Sequence, residues 1–88
     1  MRVEYLSRFS RDIDKLPSTF VRKSVLKVII KVEEEKSLSE IPNVKKLTGH
    51  KSAYRIRVGD YRIGIFVNRE LVQFGRVLHR KDIYKVFP

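Results

Sequence analysis

The apolar residues of the first third of the chain change their spacing at two points. Residues 2–6 alternate weakly between polar and apolar side chains, which predicts a short first strand. From Ser7 the apolar residues recur at the spacing of a helix, at Phe9, Ile13 and Leu16. Pro17 has no amide hydrogen with which to continue this helix, so we expect the helix to end there. Ser18 or Thr19 then caps the start of a second helix.

The second predicted helix carries one apolar stripe whose members lie at helical spacing. These residues are Val21, Val25, Val28, Ile29 and Val32. The basic residues of the helix fall largely outside the stripe, so we expect the stripe to face the core and the basic side to face solvent. The carboxylates of residues 33–35 follow one another at the helix end, point in different directions and are expected to be solvated.

Alternation with a period of two begins at Ser52, after a stretch that is expected to be a connecting loop, residues 37–51. The segment YRIRVGDYRIGI, residues 54–65, predicts a β-hairpin with Gly59 and Asp60 in a type II′ turn. This turn determines which residues face each other across the hairpin. The predicted pairs are Val58 with Tyr61, Arg57 with Arg62, Ile56 with Ile63, Arg55 with Gly64 and Tyr54 with Ile65.

The end of the chain predicts one more strand and a short tail. Residues 71–80, LVQFGRVLHR, form the strand, but the turn before them does not determine which side chains face the core. Residues 80–88 are too short for a long helix and are expected to form one helical turn or an extended tail. We therefore predict a single domain, residues 1–88, of class α+β. It consists of an N-terminal strand, a two-helix hairpin and an antiparallel three-stranded meander, with the helices packed on one sheet face.

The predicted hairpin collects cationic side chains on the sheet face that the helices leave open. Arg55, Arg57 and Arg62 share this face with Gly64, whose missing side chain leaves space for a phosphate beside them. Arg57 lies opposite Arg62, and like charges at opposed positions destabilise a hairpin. A guanidinium group can donate two parallel hydrogen bonds to the oxygens of one phosphate, so this face is a candidate anion site. The alternative is a solvated face whose charges splay into water.

The charge of the chain favours a polyanionic partner. Formal net charge is +10 over 88 residues. Residues 1–44 hold nine Lys or Arg and seven Asp or Glu, whereas residues 45–88 hold eleven and three. The excess therefore lies in the second half, and such a field attracts nucleic acid. The chain has no cysteine, which excludes disulfides and thiolate zinc sites, and it begins without an apolar signal segment. We expect a cytoplasmic protein with no membrane partner.

The second half of the chain also restricts the chemistry of such a site. Its carboxylates, Asp60, Glu70 and Asp82, are too scattered to converge on a metal ion. Neither a P-loop motif nor a GxGxxG motif occurs, so no nucleotide cofactor is expected. We therefore predict no cofactor and a metal-free phosphodiester transfer, in which cationic groups stabilise the charge that develops on the phosphate.

Two segments, YRIRVGDYRIGI and RVLHRKDIYKVFP, resemble the RelE toxins of the RelE/ParE superfamily, and the order of elements resembles that fold over essentially the whole chain. The resemblance implies the toxin of a type II toxin-antitoxin system, a ribosome-dependent endoribonuclease that cleaves messenger RNA in the A site. The implied reaction is attack of a ribose 2′-OH on the adjacent phosphate. It also implies an acidic, partly disordered antitoxin, which suits a chain of net charge +10.

The same resemblance assigns roles to individual residues. Arg62 and Arg80 would brace the phosphate, and Tyr84 would stack on or align the nucleotide or help to activate the 2′-OH. The basic positions of the first hairpin strand fall on Arg55 and Arg57. Together with Lys51, these two residues are expected to bind RNA phosphates.

The proton acceptor is left open. Arginine does not deprotonate in proteins, so Arg55 and Arg57 are unsuited to the role of base. Histidine ordinarily titrates near neutrality, which makes His79 the candidate acid or base. The alternative for His79 is a structural, hydrogen-bonded histidine. Phe87 is expected to pack in the core, and the alternative for Tyr84 is to seal the core in the same way.

Two other functions remain open at this point. A ParE-like toxin that inhibits DNA gyrase would use the same scaffold to bind a protein target, and it would not need a group of residues that contact a phosphate. A non-catalytic RNA-binding module would require several exposed aromatic side chains on the basic face, for which Phe66 is one candidate.

Overall fold

A five-stranded β-sheet forms the centre of the structure, a computed structural model that describes all residues, Met1–Pro88. The strands are β1 (Arg2–Tyr5), β2 (Val44–Lys46), β3 (Ala53–Val58), β4 (Tyr61–Asn68) and β5 (Leu71–His79). The helices are α1 (Ser7–Asp14), α2 (Thr19–Glu34) and α3 (Arg80–Val86), and a short 3₁₀ helix covers Leu38–Glu40. The predicted α+β class is confirmed, and β3, β4 and β5 form the predicted antiparallel meander.

The strand order across the sheet is β1-β5-β4-β3-β2. β1 pairs with β5 in the parallel sense, and every other neighbouring pair is antiparallel. The register of the β3-β4 hairpin is the predicted one, with Arg57 opposite Arg62 and Arg55 opposite Gly64. Gly59 has a φ of 60° at the first turn position, where a type II′ turn requires a positive value.

Helices α1 and α2 cover one face of the sheet. The Ser18 hydroxyl accepts a hydrogen bond from the Val21 amide (3.2 Å), which confirms the predicted cap of α2. Pro17 lies between the two helices, as expected. The apolar stripe of α2 packs into the main core, where Val25 and Val32 are fully buried. The longest helix, α2, has 16 residues, which is fewer than a membrane-spanning helix requires.

Helix α3 packs on the sheet face opposite the two predicted helices, which share one face as expected. It also extends the predicted single turn or extended tail to seven helical residues. Ile83 and Phe87 are buried with Leu47 and Ala53 in a second, smaller apolar cluster. Phe87 follows directly after the last residue of α3, and its amide donates a hydrogen bond to the carbonyl oxygen of Ile83 (2.9 Å). Tertiary packing stabilises this helix, because so short a helix is not stable by itself.

Strand β2 corrects the prediction of an uninterrupted loop over residues 37–51. Val44 pairs with Ile56 and Lys45 pairs with Arg55, so β2 extends the sheet beyond β3. A strand of three residues shows too little alternation to be recognised in a sequence.

Strand β5 contains an irregularity that explains why its facing does not follow from the sequence. Its register with β4 shifts near Gly64, so Phe74 and Val77 both reach the main core although three positions separate them. The carboxylate of Asp12 on α1 holds this bulge. It accepts hydrogen bonds from Arg76 (2.7 and 3.2 Å) and from the Val77 amide (3.1 Å).

Candidate nucleic-acid interface

The sheet face opposite α1 and α2 carries three arginines. Arg57 pairs with Arg62 across the β3-β4 hairpin, and Arg55 pairs with Gly64 two positions further along. Cross-strand partners share a sheet face because side chains alternate along each strand. The structure therefore brings these predicted residues together, and we call the surface formed by Arg55, Arg57 and Arg62 the arginine face.

The opposed residues Arg57 and Arg62 bind different neutral acceptors. Nη1 of Arg62 donates hydrogen bonds to the carbonyl oxygens of Gly59 (2.8 Å) and Tyr61 (2.9 Å). Nη2 of Arg57 donates to Oδ1 of Asn43 (3.2 Å). No carboxylate pairs with the arginine face, since both salt bridges of the structure lie elsewhere. The positive charges of the arginine face are therefore not neutralised within the protein, and they are available to an anion.

Gly64 does not leave the space that was predicted beside the arginines. Phe87 occupies this position, and a Cβ atom at Gly64 would lie 2.6 Å from atoms of the Phe87 ring. Phe87 is 5% exposed, so its expected packing role is confirmed. A phosphate has no room to enter at Gly64. On the same face, by contrast, the side chain of Arg57 is exposed.

Tyr84 of α3 lies against the arginine face. The guanidinium carbon of Arg55 is 4.4 Å from the centroid of the Tyr84 ring, which is a cation–π contact. Tyr84 is 57% exposed, whereas the neighbouring Ile83 is fully buried. The Nε atom of Arg55 is buried and has no hydrogen-bond partner. An exposed aromatic ring thus stands beside the cationic side chains.

Arg80 and His79 lie where β5 joins α3. The Arg80 amide donates a hydrogen bond to the carbonyl oxygen of Asp60 (2.8 Å), which attaches the start of α3 to the hairpin turn, and the Arg80 side chain is exposed. Nδ1 of His79 accepts a hydrogen bond from the Lys81 amide (3.2 Å), so His79 caps α3. The His79 ring makes an edge contact with Tyr61 (5.5 Å).

The capping position separates His79 from the arginine face. His79 pairs with Tyr61 across β4 and β5, and Tyr61 packs against the main core on the side of α1 and α2. The structure therefore gathers Arg55, Arg57, Arg62 and Tyr84, and it places His79 on the other side of the sheet.

Two lysines flank strand β3. Lys51 is exposed in the loop that precedes β3, at the end of the strand away from the hairpin turn. With a rise of about 3.3 Å per residue, Lys51 lies on the order of 20 Å from Arg57. Lys45 of β2 pairs with Arg55 and was missed, because its segment was predicted to be loop. The short alternation in NVKKL is the only signal that indicates it.

The site combines the guanidinium groups of its arginines with one exposed aromatic ring, that of Tyr84. Guanidinium groups bind phosphate oxygens, and an aromatic ring stacks on a nucleobase. No three His, Asp or Glu side chains converge in the structure as a metal site requires. These side chains can stabilise negative charge and can stack on a planar ring.

Comparison with known proteins shows which class of protein has this fold. Residues 3–84 match the family model described as the ParE toxin of the type II toxin-antitoxin system parDE. The chain therefore belongs to the RelE/ParE superfamily of type II toxins, as the resemblance implied.

The relatives identify the branch of that superfamily. The chain is 42% identical to toxin RelE3 of Methanocaldococcus jannaschii over 89 residues, which cover 100% of both chains. It is similar in structure to a chain of the RelB-RelE antitoxin-toxin complex from Methanococcus jannaschii, with a TM-score of 0.82, 40% identity and 96% and 98% of the two chains covered. For the RelE-RelB complex from Pyrococcus horikoshii OT3 these values are 0.73, 26%, and 92% and 96%. The protein is a type II toxin of the RelE family.

Proposed function

We propose that this toxin is a ribosome-dependent endoribonuclease that cleaves messenger RNA in the A site. The observation that carries the proposal is the arginine face, whose guanidinium groups have no carboxylate partner and stand beside the exposed ring of Tyr84. A face of this kind holds a phosphodiester and a neighbouring base at the same time. The relatives named RelE favour the same activity.

In the proposed reaction the ribose 2′-OH attacks the adjacent phosphorus atom. The P–O5′ bond breaks, the 5′ oxygen takes up a proton from water and leaves as a hydroxyl group, and a 2′,3′-cyclic phosphate remains, which water can open to a 3′-phosphate. Negative charge develops on the phosphate oxygens in the transition state, and the guanidinium groups of Arg62 and Arg80 stabilise it by charge and by hydrogen bonding. Arg57 and Lys51 bind the RNA chain on either side. No metal ion takes part in this scheme.

The proton of the 2′-OH requires an acceptor other than arginine. His79 and Tyr84 are the candidates of this chain. Tyr84 lies at the arginine face, whereas His79 caps α3 on the other side of the sheet. The position of Tyr84 therefore favours it as the group that aligns or helps to activate the 2′-OH.

The proposed partners are the ribosome with its messenger RNA and a cognate antitoxin. Two similar structures are complexes of RelE with the antitoxin RelB. A net charge of +10 would draw an acidic, partly disordered antitoxin to this chain. Action on translating ribosomes would take place in the cytoplasm.

A gyrase-inhibiting toxin is the second candidate, because the matching family model is described by the ParE toxin. A non-catalytic RNA-binding module would need several exposed aromatic side chains on the basic face, and this chain does not present them. Phe66 packs against Phe87 with ring centroids 5.0 Å apart, which leaves Tyr84 as the exposed ring beside the arginine face.

A translation extract tests the proposal directly. The protein is added to the extract, the 5′ ends of the messenger RNA are mapped, and breaks in plasmid DNA with added gyrase are measured in parallel. We expect new 5′ ends inside codons, only on ribosome-bound messages, and intact DNA. The Arg62→Ala variant at equal concentration serves as the control. DNA breaks with intact messages would instead support a gyrase-directed toxin.

A further inference from the structure

Arg55 makes a different contact from the other two members of the arginine face. Arg57 and Arg62 donate hydrogen bonds to oxygen atoms, whereas the guanidinium group of Arg55 lies 4.4 Å from the Tyr84 ring centroid. Its Nε atom is buried and donates to no acceptor. Arg55 is therefore engaged with an aromatic ring of its own chain.

The surroundings of Arg55 hold this contact in place. Arg55 is on β3 with paired strands on both sides, opposite Lys45 on β2 and Gly64 on β4. Phe87 covers Gly64 and, with the buried Ile83, fixes α3 on the sheet. Tyr84 follows Ile83 directly, so its backbone is fixed by packing while its ring is exposed.

We propose that Arg55 is a positioning residue that acts through Tyr84. Its guanidinium group closes one side of the Tyr84 ring and leaves the other side as the stacking surface for one nucleobase of the RNA. The inference rests on the proposed function and specifies its geometry: the Tyr84 ring lies between the guanidinium group of Arg55 and the nucleobase. A ring held in this orientation loses less conformational freedom when the base binds.

The positioning role predicts a coupling between the two residues. Loss of the cation–π contact in Arg55→Gln is expected to lower the cleavage rate at saturating ribosomes about tenfold, the size that corresponds to a partly desolvated contact. In a Tyr84→Ala background the loss caused by Arg55→Gln is expected to be much smaller than in the unsubstituted protein, because only the charge of Arg55 is then removed. Arg55→Lys, which keeps a cation over the ring, is expected to lose less activity than Arg55→Gln.

Arg57→Gln is the matched control. It removes the same charge from the same strand face, but Arg57 contacts Asn43 and no aromatic ring. If Arg55 contributes only charge, the two glutamine variants lose activity equally, and both losses persist in the Tyr84→Ala background. That result would overturn the positioning role.

A second measurement does not depend on cleavage. The chain has no tryptophan, so Tyr84→Trp introduces a single tryptophan, whose fluorescence can be excited selectively over that of the remaining tyrosines. Adding Arg55→Gln is expected to increase quenching of this tryptophan by acrylamide, whereas adding Arg57→Gln leaves it unchanged. Equal quenching in the two double variants would contradict the contact. If the unsubstituted protein cleaves no RNA, the proposed function fails, and the reporter still decides whether Arg55 holds the ring.

Discussion

The ring of Phe87 lies directly over Gly64, in the volume that a side chain at position 64 would occupy. A Cβ atom there would be 2.6 Å from the ring, closer than carbon atoms approach in proteins. This contact attaches α3 to the sheet, and α3 carries Tyr84 and Arg80. The glycine of the hairpin therefore supports the candidate site through the fold, without contact with RNA.

Gly64→Ala is expected to displace Phe87 and to destabilise the protein by about 1–3 kcal/mol, the usual cost of overpacking. Urea unfolding gives the value. In a Phe87→Ala background the space is already vacant, so the added cost of Gly64→Ala should be much smaller. An equal cost in both backgrounds would show that the contact with Phe87 does not matter.

Asp12→Ala is expected to destabilise the fold by about 3–5 kcal/mol, because it leaves Arg76 and the bulged backbone of β5 without their buried acceptor. Asp14→Ala is the control, since Asp14 is exposed on the same helix and its loss should change stability by about 0.5 kcal/mol or less. Chemical denaturation compares the two. Similar midpoints would contradict the role of the bulge contact.

Arg62→Ala and Arg80→Ala are each expected to abolish growth arrest and to lower the cleavage rate about 100-fold or more, the cost of one preorganised charge-stabilising group. Lys23→Ala removes the same charge from an exposed position of α2 and should stay toxic. Circular dichroism verifies that each variant is folded. Full toxicity of both arginine variants at equal protein level would refute the site assignment.

Tyr84→Phe is expected to weaken cleavage of ribosome-bound messenger RNA while the melting temperature changes little, because the hydroxyl group belongs to an exposed residue. Tyr5→Phe is the control, since Tyr5 is also exposed and its ring stacks on the buried Phe74 (5.5 Å) away from the arginine face, so loss of its hydroxyl group should not change cleavage. Unchanged cleavage by Tyr84→Phe would show that the hydroxyl group has no part in the reaction.

His79→Asn separates the capping role of His79 from a proton-transfer role. Asparagine is a good helix cap but does not titrate, so we expect this variant to keep α3 folded and to remain active. His79→Ala removes the cap and should cost about 1 kcal/mol of stability. If His79→Asn is folded but inactive across the pH range, His79 acts as the acid or base.

The sequence by itself determined the features that depend on neighbouring residues. Gly59 at the turn and the alternation on either side set the hairpin register, which in turn places Arg57 beside Arg62. Ser18 after Pro17 set the start of α2. These features are predictable because turn chemistry, capping and side-chain period are properties of a short segment.

Tertiary structure alone decided the features that join distant segments. The packing of Phe87 on Gly64, the Arg55 contact with Tyr84 and the addition of β2 to the sheet each depend on two segments meeting in the fold. No periodicity within one segment indicates which surface the other will cover. The arginines could therefore be placed on one face from the sequence, but which of them is free for an anion required the structure.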